Sequence, residues 1–280
     1  MRKLIAMLLF NFHIPEIRQA WRAGVVCAMT LFVSLYVLKM DSPQWVVLSA
    51  LVCLQANFGA SLKRAKERLT GTLLACAVGL TILYFFPEST LFLVLLLIFG
   101  MVVAIYKSTL SYTYSVFSLT IAVVVMSALL FQDAKKIVLL RIEDVTLGIA
   151  FGTIGSLLLW PDFARKKFKD DLTLLVQSKE LLFSCLIDWL EDKKSVQDFF
   201  DQKIVSAQSN QNTRMRMIEM SYEFGSQVLP KKTYEGFVLT QERIHYILLS
   251  IFNIVNDYNL KKNTTFIHFF RNELNILKQL

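Results

Sequence analysis

The sequence predicts an all-α integral membrane protein: six transmembrane helices in a 3+3 inverted repeat, followed by a cytoplasmic helical bundle. Three observations predict it. Six strongly apolar runs lie between residues 22 and 160, joined by short links, and a spanning helix needs about 20 such residues, with shorter ones tolerated. Lys and Arg collect in alternate links, the pattern that fixes which side of a membrane faces the cytoplasm. The stretch Arg68–Ala75 is echoed by Arg141–Gly148. The expected division is an N-terminal cytoplasmic or interfacial segment over 1–21, a six-helix transmembrane domain over 22–161, and a cytoplasmic helical domain over 162–280.

Composition supports the division. The chain is 55% hydrophobic with positive mean hydropathy, high for a soluble globular protein. Residues 1–160 hold 13 of the 30 Lys+Arg and 7 of the 22 Asp+Glu, and the denser charge falls in the last 120 residues. A net charge of +8 is compatible with nucleic-acid binding. The basic residues lie beside apolar spans, however, so topology accounts for them and no nucleic-acid partner is expected. Cys27, Cys53, Cys76 and Cys185 show no paired spacing and read as small buried hydrophobes. His13, His245 and His268 form no ligand pattern. No metal, cofactor or catalytic constellation is indicated, so an enzyme is not expected.

The elements follow in order. The N-terminus, basic and then apolar, lacks a small-residue cleavage site and reads as an interfacial helix leading into the first span. Span one is Arg22–Leu38 and span two Trp45–Phe58, linked by Lys39-Met40-Asp41-Ser42-Pro43. A basic loop with Lys63, Arg64, Lys66 and Arg68 leads to span three, Leu69–Phe86. Span four is Leu91–Ile105, span five Leu110–Leu130 and span six Ile142–Trp160, stopped by Pro161. Beyond it, helical periodicity marks runs over 164–193, 195–228, 233–258 and a tail over 264–280. No Gly-rich phosphate loop occurs there.

With the N-terminus inside, the cytoplasmic side collects most Lys and Arg. Arg2, Arg18, Lys63 and Arg64 are among them, with the cluster Arg165, Lys166, Lys167 and Lys169, while the far side receives Lys39, Lys135, Lys136 and Arg141. This asymmetry puts both termini in the cytoplasm. In the echo, Arg68 aligns with Arg141, Ala75 with Gly148 and Gly79 with Gly152. Three spans separate the copies, so they cross the membrane in opposite directions, as in the inverted repeats of many transporters; chance similarity of so short a match is the alternative. Gly71, Ala75 and Gly79 recur every four positions in span three, and Gly148, Gly152 and Gly155 nearly so in span six. Small residues in such rows let helix backbones approach in lipid.

These residues carry a resemblance. Trp45, then Gln55-Ala56-Asn57-Phe58-Gly59, Arg64-Ala65-Lys66-Glu67-Arg68-Leu69-Thr70-Gly71-Thr72, Arg141-Ile142-Glu143-Asp144 and the closing Trp160-Pro161 resemble the fusaric-acid-resistance-like family of inner-membrane proteins, which includes the aromatic acid exporters. Arg18 to Pro161 is covered, and the Arg-x-x-Gly-Thr opening of span three is the most specific piece. The resemblance implies a bacterial inner-membrane protein built on a six-helix unit, a layout similar to that of plant malate-type anion channels. Many members join two such units; this sequence holds one, which implies a homo-oligomer, with a dimer favoured. Membrane lipid and an organic anion are the partners to expect, and recruitment of a periplasmic adaptor stays open.

Binding an organic anion calls for cationic or amide donors and aromatic surface. Arg offers a bidentate, permanently charged fork for carboxylate. The candidates are Arg64 and Arg68, the amides Gln55 and Asn57, Arg141 with Asp144, and Tyr112 and Tyr114. Each has a plainer reading: topology for Arg64, a salt bridge to Glu143 or Asp144 for Arg141, interfacial anchoring for the tyrosines. Asp144 is also a candidate proton acceptor. Three functions stay open: an exporter of aromatic or other amphipathic carboxylates, an anion channel of the same architecture, and a membrane scaffold whose cytoplasmic helices bind a partner protein.

Overall fold

A computed structural model describes residues 14–85, 90–107, 111–130, 134–223, 231–257 and 268–269. Their regular elements are all helices, and the chain divides into two compact units, Met1–Asp162 and Phe163–Leu280.

In the first unit, α1 is Pro15–Phe32 and opens on a proline, whose missing N–H would be unpaired in a first turn anyway. It runs into a π-helical turn, Val33–Val37. Then come α2, Pro43–Cys53, α3, Phe58–Phe85, α4, Thr90–Lys107, α5, Tyr112–Leu130, and α6, Ala134–Leu158. Among the described residues three segments are long and apolar enough to cross a membrane: Glu16–Val37, Phe58–Phe85 and Tyr112–Leu129. α2 and α4 supply shorter apolar helices. The 11 residues of α2 rise only about 16 Å, about half the hydrocarbon thickness. α6 has the length, but Arg141, Glu143 and Asp144 lie within it.

The basic stretch read as a loop is helix. α3 starts at Phe58, so Lys63, Arg64, Lys66 and Arg68 lie on its opening turns, and Arg68 stands nearly three turns inside it. Arg141 likewise stands about two turns inside α6 instead of at its start. For α3 the reason lies at Asn57. Its side-chain oxygen accepts the Ala60 N–H at 2.7 Å and caps the helix there. The expected N-terminal segment changes too, since 15–21 belong to α1; its residues 1–13 lie outside the described part.

Helix packing in this unit centres on three apolar clusters. One joins α3, α4 and α5 through Ala75, Leu93, Ile121 and Val125. The second joins α1, α2 and α6 through Val26, Ala50, Leu54 and Phe151. The third, with Cys76, Val124 and Val138, ties α3 and α5 to α6. Glycine permits the closest approaches. A Cβ at Gly71 would stand 2.9 Å from the Thr113 carbonyl, one at Gly148 2.6 Å from the Val46 carbonyl, and one at Gly152 2.7 Å from the Ala50 carbonyl. Gly79 faces Val124 and Gly155 faces Val26, while Ala75 is fully buried. Outward faces are apolar, with Leu91, Leu95, Phe99 and Ile105 of α4 exposed, while Thr30, Ser34, Ser49, Thr72 and Ser156 are buried. That distribution suits a unit surrounded by hydrocarbon, where apolar residues gain nothing by hiding.

In the second unit, α7 is Ala164–Leu190, α8 Val196–Met220 and α9 Lys231–Asp257. They share a core of Leu182, Leu186, Trp189, Phe199, Leu248 and Phe252, in which the Phe199 and Phe252 rings stack at 4.2 Å. The Glu223 carboxylate accepts the Ala164 and Arg165 N–H groups at 2.6 and 3.2 Å, capping the first turn of α7. Ser195 and Asp198 form a capping box on α8. The run expected to reach Val228 stops at Met220. The tail read as a fourth helix falls outside the described residues except at 268–269.

Candidate functional site

Arg68 from α3 and Arg141 from α6 line one cavity of 310 Å³, whose other walls come from α2 and α5. Its apolar lining includes Leu48, Val52, Val116, Leu119 and Val145, with Thr72, Ser115 and Thr120 adding hydroxyls. The volume lies at the small end of the range for ligand pockets.

Each arginine is held in place. Arg68 donates from Nη1 to the Tyr112 hydroxyl and from Nη2 to Ser49 Oγ, both at 3.1 Å. Its Nε is buried and has no hydrogen-bond partner. The Arg64 guanidinium lies 4.0 Å from the centre of the Tyr112 ring and sits 3.8 Å from Glu67. Tyr112 is thus held by Arg64 at its face and by Arg68 at its hydroxyl. Arg141 lies over the Trp45 ring at 3.6 Å, a cation–π contact that leaves its in-plane donors free to point elsewhere. Asp144, three residues further along α6, acts on the stacked Arg141 as a neighbouring opposite charge. Asp144 is 1% exposed; its Oδ2 accepts from Ser42 Oγ at 2.9 Å and its Oδ1 has no partner.

The remaining candidates stand apart. Gln55 turns its amide back to the Val52 carbonyl at 2.8 Å, and its N–H bonds Ser61 Oγ at 3.0 Å. Asn57 caps α3. Both belong to the α2–α3 junction, whose carbonyls at Gln55 and Ala56 accept from Arg22. Tyr114 is exposed and does not line the cavity. Sequence reasoning passed over Ser49, Thr72 and Trp45 as site residues; of these Trp45 and Thr72 carried a signal, since both stand in the motifs behind the family resemblance.

A helical bundle with apolar outward faces and three segments able to cross a membrane defines a membrane protein, and its cavity is lined by two arginines. The unit that holds this cavity belongs to the family described as fusaric acid resistance protein-like, whose model matches residues 19–155. An uncharacterized protein of Haemophilus influenzae is 24% identical over 269 residues, 92% of this chain and 36% of that protein. The inner membrane protein YccS of Escherichia coli is 30% identical over 124 residues, 44% of this chain and 17% of YccS. Protein ORF2 of Neisseria gonorrhoeae is 28% identical over 155 residues, 55% of this chain and 36% of ORF2. The chain spans about a third or less of the length of these relatives.

Proposed function

We propose that the chain is a transport protein of the bacterial inner membrane that moves amphipathic organic anions, aromatic carboxylates among them, outward through the Arg68–Arg141 cavity. The observation that carries this reading is the convergence of two arginines from α3 and α6 on one apolar-walled space beside Trp45 and Tyr112. A carboxylate suits the guanidinium forks and a ring suits the walls. The description of YccS as an inner membrane protein supports the location. Family membership supports transport, and no metal or cofactor enters the reading.

The finer architecture belongs to the same proposal. Exchanging α1, α2 and α3 for α4, α5 and α6 carries the α3–α4–α5 cluster onto the α6–α1–α2 cluster. It also carries the Gly79 contact with α5 onto the Gly152 contact with α2. Both relations support a 3+3 inverted repeat with six crossings. The distribution of Lys and Arg supports both termini and the second unit in the cytoplasm, and the proposal includes a homodimer supplying a second unit.

The test is counterflow of labelled benzoate in proteoliposomes. Hydrogen bonds to a charged group contribute about 1.5–3 kcal/mol, so Arg68→Ala should slow transport about tenfold or more, with Arg68→Lys intermediate. Unchanged transport across a panel of aromatic acids would remove the site. Ohmic anion current without a coupling ion would make the protein a channel instead.

A further inference from the structure

We infer that Asp144 links proton uptake to anion binding at Arg141, so that the cavity takes its anion together with a proton. The inference rests on the transport reading above and deepens it. Asp144 and Arg141 are three residues apart on α6, neighbours on one helix face. The carboxylate is buried, yet one oxygen holds a single bond from Ser42 and the other has no partner. A buried carboxylate so sparsely paired depends on the nearby cationic charge to stay ionised. That charge is Arg141, whose guanidinium lies against Trp45 at the cavity wall.

An incoming carboxylate and the Asp144 carboxylate draw on the same guanidinium. Binding the first weakens the field that holds the second ionised, and a proton from water then adds to the free Oδ1. Reciprocity requires the converse, so protonating Asp144 tightens anion binding by the same factor. Other charged or titratable groups face this region. Glu143 is exposed on α6. Arg68 and Cys76 come from α3, Tyr112 from α5, Cys53 from α2, and Asp41 lies in the preceding link, 4.0 Å from Lys136. Arg22 of α1 is at the other end of α2. Among these, Asp144 combines burial with an unpaired oxygen beside an arginine of the cavity.

The experiment is calorimetric titration of benzoate into the full chain in lipid nanodiscs, between about pH 6 and pH 8, in buffers of different ionisation enthalpy. Wild type should bind more tightly as pH falls, by up to about tenfold per pH unit, with uptake approaching one proton per anion. Asp144→Asn should bind with flat pH dependence and no proton uptake. Ser42→Ala, which removes the one bond to the ionised form, should move the pH dependence upward, and it keeps the test open if Asp144→Asn fails to fold. Proton-free, pH-independent binding by wild type overturns the inference and leaves the transport site standing. So does pH dependence unchanged in Asp144→Asn. If benzoate and related aromatic acids fail to bind wild type, the site reading falls and the linkage with it.

Discussion

At the scale of single residues, the second unit holds a buried polar network of Lys179, Ser206 and His245. Lys179 Nζ donates to Ser206 Oγ at 2.6 Å and to the Ser206 carbonyl at 3.2 Å. The Ser206 hydroxyl and His245 Nδ1 are hydrogen-bonded at 3.1 Å, and the imidazole tautomer sets which of them donates. Burial lowers the Lys179 ammonium to about 8, partly offset by Glu242, and burial with the charges of Lys179 and Lys203 lowers His245. Both shifts disfavour the protonated form in the fold, so the unfolded chain binds more protons wherever either group titrates, and stability rises with pH. Thermal unfolding followed by circular dichroism should therefore show a midpoint that climbs from mildly acidic pH through the Lys179 range. His245→Asn, which keeps an acceptor, should flatten the acid leg, and Lys179→Met the alkaline leg, each by on the order of 1 kcal/mol. Little of this was legible beforehand. In the sequence His245 forms no ligand pattern, and nothing in periodicity places residue 179 beside 206 and 245. Arg68 and Arg141 were legible, because an arginine beside a Gly-spaced apolar run is costly unless it is used.

At the scale of elements, the glycines divide by what stands opposite them. A Cβ at Gly148 or Gly71 meets carbonyl oxygen of a neighbouring helix, whereas Gly24 and Gly236 face open space. Gly148→Ala and Gly71→Ala should each destabilise the fold by about 1–3 kcal/mol. Gly236→Ala should be neutral or stabilising by up to about 1 kcal/mol, since alanine is the better helix former. Melting of the purified variants separates the two classes. Small-residue rows marked these faces in the sequence; the partner helices did not show. The start of α3 was illegible for another reason. Four basic residues in six positions look like a solvated loop, and the Asn57 cap that makes them helical is one common residue in a polar link.

At the scale of the whole molecule, topology is the open quantity, and single-cysteine labelling reads it. Cys53, Cys76 and Cys185 are buried, while Cys27 is half-buried, so with Cys27 replaced by serine the remaining native thiols should label slowly beside introduced ones. Asp41→Cys and Lys136→Cys should react with an impermeant maleimide from outside spheroplasts, and Lys232→Cys only after permeabilisation; the reverse pattern would invert the proposed orientation. The two-part layout was legible because apolar and charged residues separate along the chain. The number of crossings was not, because α2 is short and α6 carries charge. The cavity also bears on handling of the protein. Two guanidinium groups share one small, mostly apolar chamber, and like charges there repel with little water to screen them. On the proposed reading an anion entering that chamber offsets the repulsion, so the melting midpoint of the purified protein should rise when benzoate is added and fall when the salt is exchanged for one whose anion is too large to enter.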